Sequence, residues 1–189
     1  EEPVKADNPL LSLDNFICTP HIGAQTAEAQ ENVAVGIAEQ IVDYFTKGSA
    51  RGAVNIPSVS PELLPRLQPY LTLAEQLGKL ETQLCEGGLE RVTVEYSGDV
   101  TNLSIAPLTI AVLKGLLTPI MEAPVNYVNA PIVAKERGIE VKEVKSTDAG
   151  DFTSLIRVRV EAGKRSHLVA GTLYNKKDPR VVEIDQFKV

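Results

Sequence analysis

A chain of 189 residues has room for one sizeable domain or two small ones, and 43% hydrophobic with 23% charged residues is the makeup of an ordinary globular protein. The net charge of −6, the absence of Trp and an aromatic content of 5% argue against a nucleic-acid binder, which needs a basic face with stacking side chains. Apolar runs such as "IAPLTIAVL" fall far short of the roughly 20 residues that a membrane span requires. Cys18 and Cys85 stand too far apart for metal spacing and form no disulfide framework, so the cytoplasm is the default compartment.

The chain opens with "EEPVKADNPLL", which reads as the middle of a longer protein. Pro3, Pro9 and Pro20 punctuate an extended segment with a short strand candidate at Asn15–Thr19. Thr26 is placed to cap a helix over about 26–47, with Glu28 in its first turn and Val33, Ile37, Ile41, Tyr44 and Phe45 at helical spacing. Gly48 is a plausible stop. The proline-rich run after it marks a boundary near 49–60, beyond which a second domain is expected.

In that second part Thr72 and Glu75 form a capping-box pattern, and Leu73, Leu77, Leu80 and Leu84 repeat with helical period up to Gly87-Gly88. "RVTVEYSG" alternates as a strand, "SIAPLTIAVLKGLLTPIM" reads as a buried helix, and a short helix runs from Pro131 to Gly138. The tail holds four strand candidates: "GIEVKEVKS", "FTSLIRVRVEAG", "KRSHLVAGTLYN" and "RVVEIDQFKV". Helices first and strands last predict an α+β fold: an N-terminal extended segment and long helix, then a helix-covered, mainly antiparallel sheet domain.

The search for chemistry is largely negative. Gly163-Lys164 is followed by Arg165, not by the Ser or Thr of a P-loop, and no Gly-x-Gly-x-x-Gly follows a strand, so no cofactor-binding residues are assigned. Neither His-Glu-x-x-His nor paired Cys-x-x-Cys is present for a metal. What remains is His21, in "CTPHIGAQTAEAQ", with Glu1 and Glu2 upstream as acidic neighbours. On spacing alone a histidine in a Pro-Gly loop is more often a surface or helix-capping residue than an acid/base.

The run "DNPLLSLDNFICTPHIGAQTAEAQENVAVGIAEQIVDYF" strongly resembles the end of the catalytic region of the D-2-hydroxyacid dehydrogenase family. "GAQTAEAQ", "AVNIP", "YLTLAEQLGKL", "VNYVNAPIVAKERGI" and "GTLYNKKDPRVVEID" are similar to its phosphoglycerate-oxidising branch, so the resemblance covers essentially the whole chain. It implies that residues 1–52 are the terminal segment of the catalytic region and 53–189 an intervening, allosteric substrate-binding-type domain. It implies further that His21 is the acid/base histidine and Glu2 its paired carboxylate, with Glu1 as a rival. The same resemblance implies NAD as cofactor of the parent enzyme, 3-phosphoglycerate as its substrate, serine biosynthesis as its setting and a homo-oligomer as its state. The dinucleotide-binding turn and the arginine that clamps the substrate carboxylate are missing from this stretch, so the 189 residues alone are expected to be inactive. The alternative is an independent ligand-binding or oligomerisation module without enzymatic activity.

Residues 1–90 carry 5 Lys/Arg against 13 Asp/Glu, whereas 91–189 carry 14 against 12. The positive balance of the second part permits an anion site. In "SLIRVRVEAGKRSHLV" a three-residue loop Glu161-Ala162-Gly163 is a common hairpin connection. It places Arg159 opposite Arg165 and Arg157 opposite His167, all four on one face. That face is either solvated, with nearby carboxylates relieving the charge, or an anion or effector site made by Arg157, Arg159, Arg165 and His167.

Overall fold

The computed structural model describes residues 4–19, 21–47 and 63–189, and the chain divides into two compact units, Glu1–Ala50 and Arg51–Val189. In the first unit, α1 spans Ala27–Lys47. Thr26 caps it as the sequence predicts: its Oγ1 accepts from the Ala29 N–H at 3.1 Å. The strand expected at 15–19 does not form, because its residues have no strand partner among the described residues. Instead Pro9–Ser12 makes a single 3-10 turn capped by the Asn8 side chain. The boundary expected at 49–60, and Gly48, lie outside the described residues.

The second unit begins with α2, Leu64–Leu84. This helix starts nine residues before the capping box suggests, and Thr72 is inside it, donating to the Gln68 carbonyl at 3.2 Å. The early start carries Pro69 in the helix interior, at the loss of one backbone hydrogen bond. Burial overrides that local cost, since Leu67 lies in the same core as Leu73, Ala74 and Leu77. Next come β1 (Arg91–Gly98), α3 (Ala106–Leu117) and α4 (Ala130–Glu136). The tail then supplies β2 (Glu140–Ser146), β3 (Ser154–Ala162), β4 (Arg165–Tyr174), β5 (Asp178–Ile184) and β6 (Phe187–Lys188).

These strands form one sheet in the order β2-β1-β3-β4-β5-β6. Only β1 and β2 run parallel, joined through α3 and α4 as a parallel pair requires, and every other pair is antiparallel. The fold is α+β as expected. The last strand candidate is in fact a hairpin, with Asp185-Gln186 turning β5 into β6. Val92, Val94 and Tyr96 of β1, Ile156, Val158 and Val160 of β3, and Val169 of β4 join the α2 and α3 residues in the core.

Glycines bring α2 and α3 into contact. A Cβ on Gly78 would run into the Val112 carbonyl, and one on Gly115 into the Glu75 carbonyl. Gly171 does the same between α2 and the sheet: its absent Cβ would lie 2.7 Å from Leu73 Cδ1.

The β3–β4 hairpin corrects the predicted register. Ala162 pairs with Arg165, so the loop is the two residues Gly163-Lys164. Gly163 has φ +59 and Lys164 is not among the positive-φ residues, as expected of a type II′ turn, whose twist suits a two-residue hairpin. One residue fewer in the loop moves every β4 side chain to the opposite face relative to β3.

Candidate functional site

Two places carry the residues singled out by sequence. The first is the loop before α1. His21 is exposed; its carbonyl accepts from Gln25 Nε2 at 3.2 Å, and the Gln25 N–H donates to the Ile22 carbonyl at 3.1 Å. The turn thus anchors the His21 backbone five residues ahead of the Thr26 cap. Glu1 and Glu2 lie outside the described residues.

The second place is the sheet, where the four predicted anion-binding cations are divided. Arg157 and Arg159 point to the face away from the helices, opposite Ala170 and Leu168. His167 pairs with Val160 and Arg165 with Ala162, on the other face. The cluster of four therefore does not assemble, and the cause is the shorter turn. Three of the four engage carboxylates: Arg157 meets Glu95 at 3.2 Å and Glu183 at 3.7 Å, Arg165 pairs with Glu86, and His167 Nδ1 is 3.2 Å from Asp185 Oδ2. Arg91 extends the same pattern on the open face, bridging Glu140 and Glu161 at 2.8 Å each. Such exposed ladders contribute little individually.

Arg159 differs. It forms no ion pair within 4.0 Å among the described residues, and it lines a cleft of about 390 Å³ with Ser166, Leu168, Glu183, Asp185 and Gln186. Asp185 anchors one wall: its Oδ1 accepts from the Leu168 N–H at 2.9 Å, with its own backbone held in the left-handed region at φ +53. That N–H bond, with His167 beside it, holds the Asp185 carboxyl below its usual range. Its contribution to stability is therefore present above the ordinary carboxylate pKa and lost as pH falls through the depressed one.

Two residues escaped the sequence reading. Glu81 is fully buried on α2, and Asp185 organises the cleft. For Glu81 a signal existed: Ala74, Leu77, Gly78 and Glu81 follow helical spacing along the buried stripe, so a carboxylate stands where an apolar residue is expected. No local signal marks Asp185, whose role depends on the β5–β6 turn.

The sequence model of the family described as D-3-phosphoglycerate dehydrogenase intervening domain matches residues 66–185, which run from α2 to the turn after β5. The chain belongs to this family. The match falls within the unit built on the six-stranded sheet. Among curated relatives, the D-3-phosphoglycerate dehydrogenase of Synechocystis sp. is 42% identical over 190 residues, covering 100% of this chain and 34% of the relative. That of Methanocaldococcus jannaschii is 42% identical over 189 residues, with 100% and 36% covered, and that of Bacillus subtilis 33% identical over 189 residues with the same coverage. The chain spans about a third of the length of these relatives. The similarity extends through the His21 loop and α1 as well as the intervening domain.

The dinucleotide does not fit the residues described. The one passage from a strand into a helix that the sheet offers, β1 to α3, has a single glycine, Gly98, followed at once by Asp99, whose charge opposes a pyrophosphate.

Proposed function

We propose that this chain is part of an NAD-dependent D-3-phosphoglycerate dehydrogenase, carrying the acid/base histidine loop and the intervening regulatory domain, and inert as a dehydrogenase by itself. The observation that carries this reading is similarity along the entire chain to enzymes of that name, together with the family match over residues 66–185. The first unit supports it as well. Val33, Ile37, Ile41, Tyr44 and Phe45 of α1 are half exposed or more, an apolar stripe that its own unit leaves uncovered and a larger parent would cover.

In this reading the chain supplies the proton half of the reaction. Oxidising a secondary alcohol removes a hydride from carbon and a proton from oxygen; His21, entering as the neutral imidazole, takes that proton, and Glu2 on its far nitrogen stabilises the imidazolium. The hydride acceptor is bound elsewhere in the parent. An anionic effector of the intervening domain is best placed at Arg159, since Arg157, Arg165 and His167 are each engaged by a carboxylate.

Calorimetric titration of the 189-residue chain with NADH should give no binding isotherm, and micromolar binding would overturn the reading. In the complete parent enzyme, His21→Ala is expected to lower turnover by about two to four orders of magnitude. Near-normal turnover would reduce His21 to a loop residue.

A further inference from the structure

Glu81 is the buried ionisable group that neither the histidine loop nor the Arg159 cleft uses. Its relative exposure is 0%, and its Oε1 has no hydrogen-bond partner. Cys85 Sγ, at the C-terminal end of α2, lies 3.9 Å from Oε2, and the nearby Val169 backbone of β4 favours the charged form. The ladder shifts register just beyond Val169, between Ala170 and Gly171, and there the missing Gly171 side chain lets Leu73 and Leu77 press onto the strand. The carboxyl therefore sits one turn beyond the place where Leu77 presses onto the strand.

No cation from the surrounding elements compensates it. On α3, Lys114 is bonded to Glu75 at 2.7 Å, as is Lys79 of α2 itself. On β3, Arg159 reaches it only as a weak field; on β4, His167 is paired with Asp185, and Asp185 adds a like charge. On β5, Glu183 faces Arg157 across the far side of the sheet. An ionised carboxylate with an unpartnered oxygen and no counter-ion is costly in such a place, whereas the neutral acid is tolerated.

We propose that the seat of α2 on β4 is a proton-gated joint: closed while Glu81 holds its proton, and opened when the carboxylate forms and leaves for water, lifting the C-terminal turns of α2 from β4. Burial, the largest cause, pushes the Glu81 carboxyl up to about 8, and Asp185 adds to it. In the open form the carboxyl returns to the ordinary range near 4.5. The closed form thus binds the extra proton, and the open fraction rises by up to about tenfold per pH unit between these two values and levels off above about 8. The joint is accordingly tuned across neutral pH, where a change of proton concentration alters how firmly the helical layer is held.

Hydrogen exchange on the 189-residue chain and on Glu81→Gln, an isostere of the neutral acid, tests this. From about pH 5.5 to about pH 7.5, protection factors at Val169, Glu81, Thr82 and Cys85 should fall by close to tenfold per unit in the unmodified chain and stay level in the variant. Amides of α3 and β1 should stay better protected than these four at every pH in the unmodified chain. The His167–Asp185 pair is the same in both chains, so the difference belongs to Glu81. Equal slopes in the two chains, or protection at these four amides no lower than that of α3 and β1, would overturn the joint. Should the variant not fold, the Glu81 carboxyl carbon resonance and the Thr82 and Cys85 protection factors of the unmodified chain decide together: a raised midpoint with protection falling below it supports the proposal, and a midpoint in the ordinary carboxylate range, or protection that does not change with pH, ends it.

Discussion

Single residues set the tolerances of this molecule. Gly78 and Gly115 are interior helical glycines, an unfavourable choice for each helix alone by roughly 1 kcal/mol against Ala. They persist because the backbones of α2 and α3 meet at both positions, with the Val112 and Glu75 carbonyls occupying the space of a Cβ. Neither carbonyl is the end of a flexible side chain, so an added methyl has to push the helices apart. Gly115→Ala and Gly78→Ala should each therefore destabilise, by about 1–3 kcal/mol, a fall of at least about 3 °C in melting temperature. Thermal unfolding followed by circular dichroism checks this; a rise in melting temperature would mean that the close approach is relaxed in solution. Gly138 makes a control of a different kind, since nothing crowds its Cβ and only its φ of +73 is at stake.

At the level of elements, the β3–β4 hairpin decides which charges meet. A two-residue turn at Gly163-Lys164 aligns Val160 with His167 and leaves Arg157 and Arg159 facing away from the helices. Arg157 is then held between Glu95 and Glu183, and Arg165 crosses to Glu86 after α2. Of the four cations, Arg159 is the one that an anion can approach without displacing a carboxylate. Phosphate titration at low salt, read from amide shifts, should therefore perturb Arg159, Ser166 and Leu168 and lose that effect in Arg159→Met, while Arg165→Ala leaves it unchanged. Binding equally weakened by Arg157→Ala, Arg159→Met and Arg165→Ala would restore the four-cation face and with it the longer turn.

For the whole molecule, the distribution of the core is decisive. Every buried hydrophobic residue described belongs to the stretch from Leu67 to Ala170, and the core cluster draws on α2, α3, α4 and strands β1, β3 and β4, with Val100, Ile105 and Ile139 added from the connecting segments. Unit 1 contributes no buried apolar side chain among the described residues. Stability should then reside in the second unit: a chain cut to residues 63–189 is expected to keep a cooperative thermal transition within about 3 °C of that of the full 189 residues. A truncated chain that has lost its transition would show that the first unit is part of the folding core.

Much of this architecture is determined locally, and the sequence by itself carries it. The helix from Ala27, the Thr26 cap, the alternating β1, the buried α3 and the strand-rich tail all follow from periodicity and turn residues acting over a few positions. The family resemblance, spread over the whole length, also lies in the sequence and agrees with the match over 66–185. Other features require partners distant in the chain. The start of α2 at Leu64 depends on the burial of Leu67 against the sheet, which outweighs the Thr72 signal. The parallel pairing of β2 with β1 depends on the crossover through α3 and α4. The division of the four cations depends on one residue of turn length, because side chains alternate with a period of two and a single step reverses every face. Tertiary packing alone isolates Glu81, since a carboxylate on an amphipathic helix is costly only once the surface over it has closed.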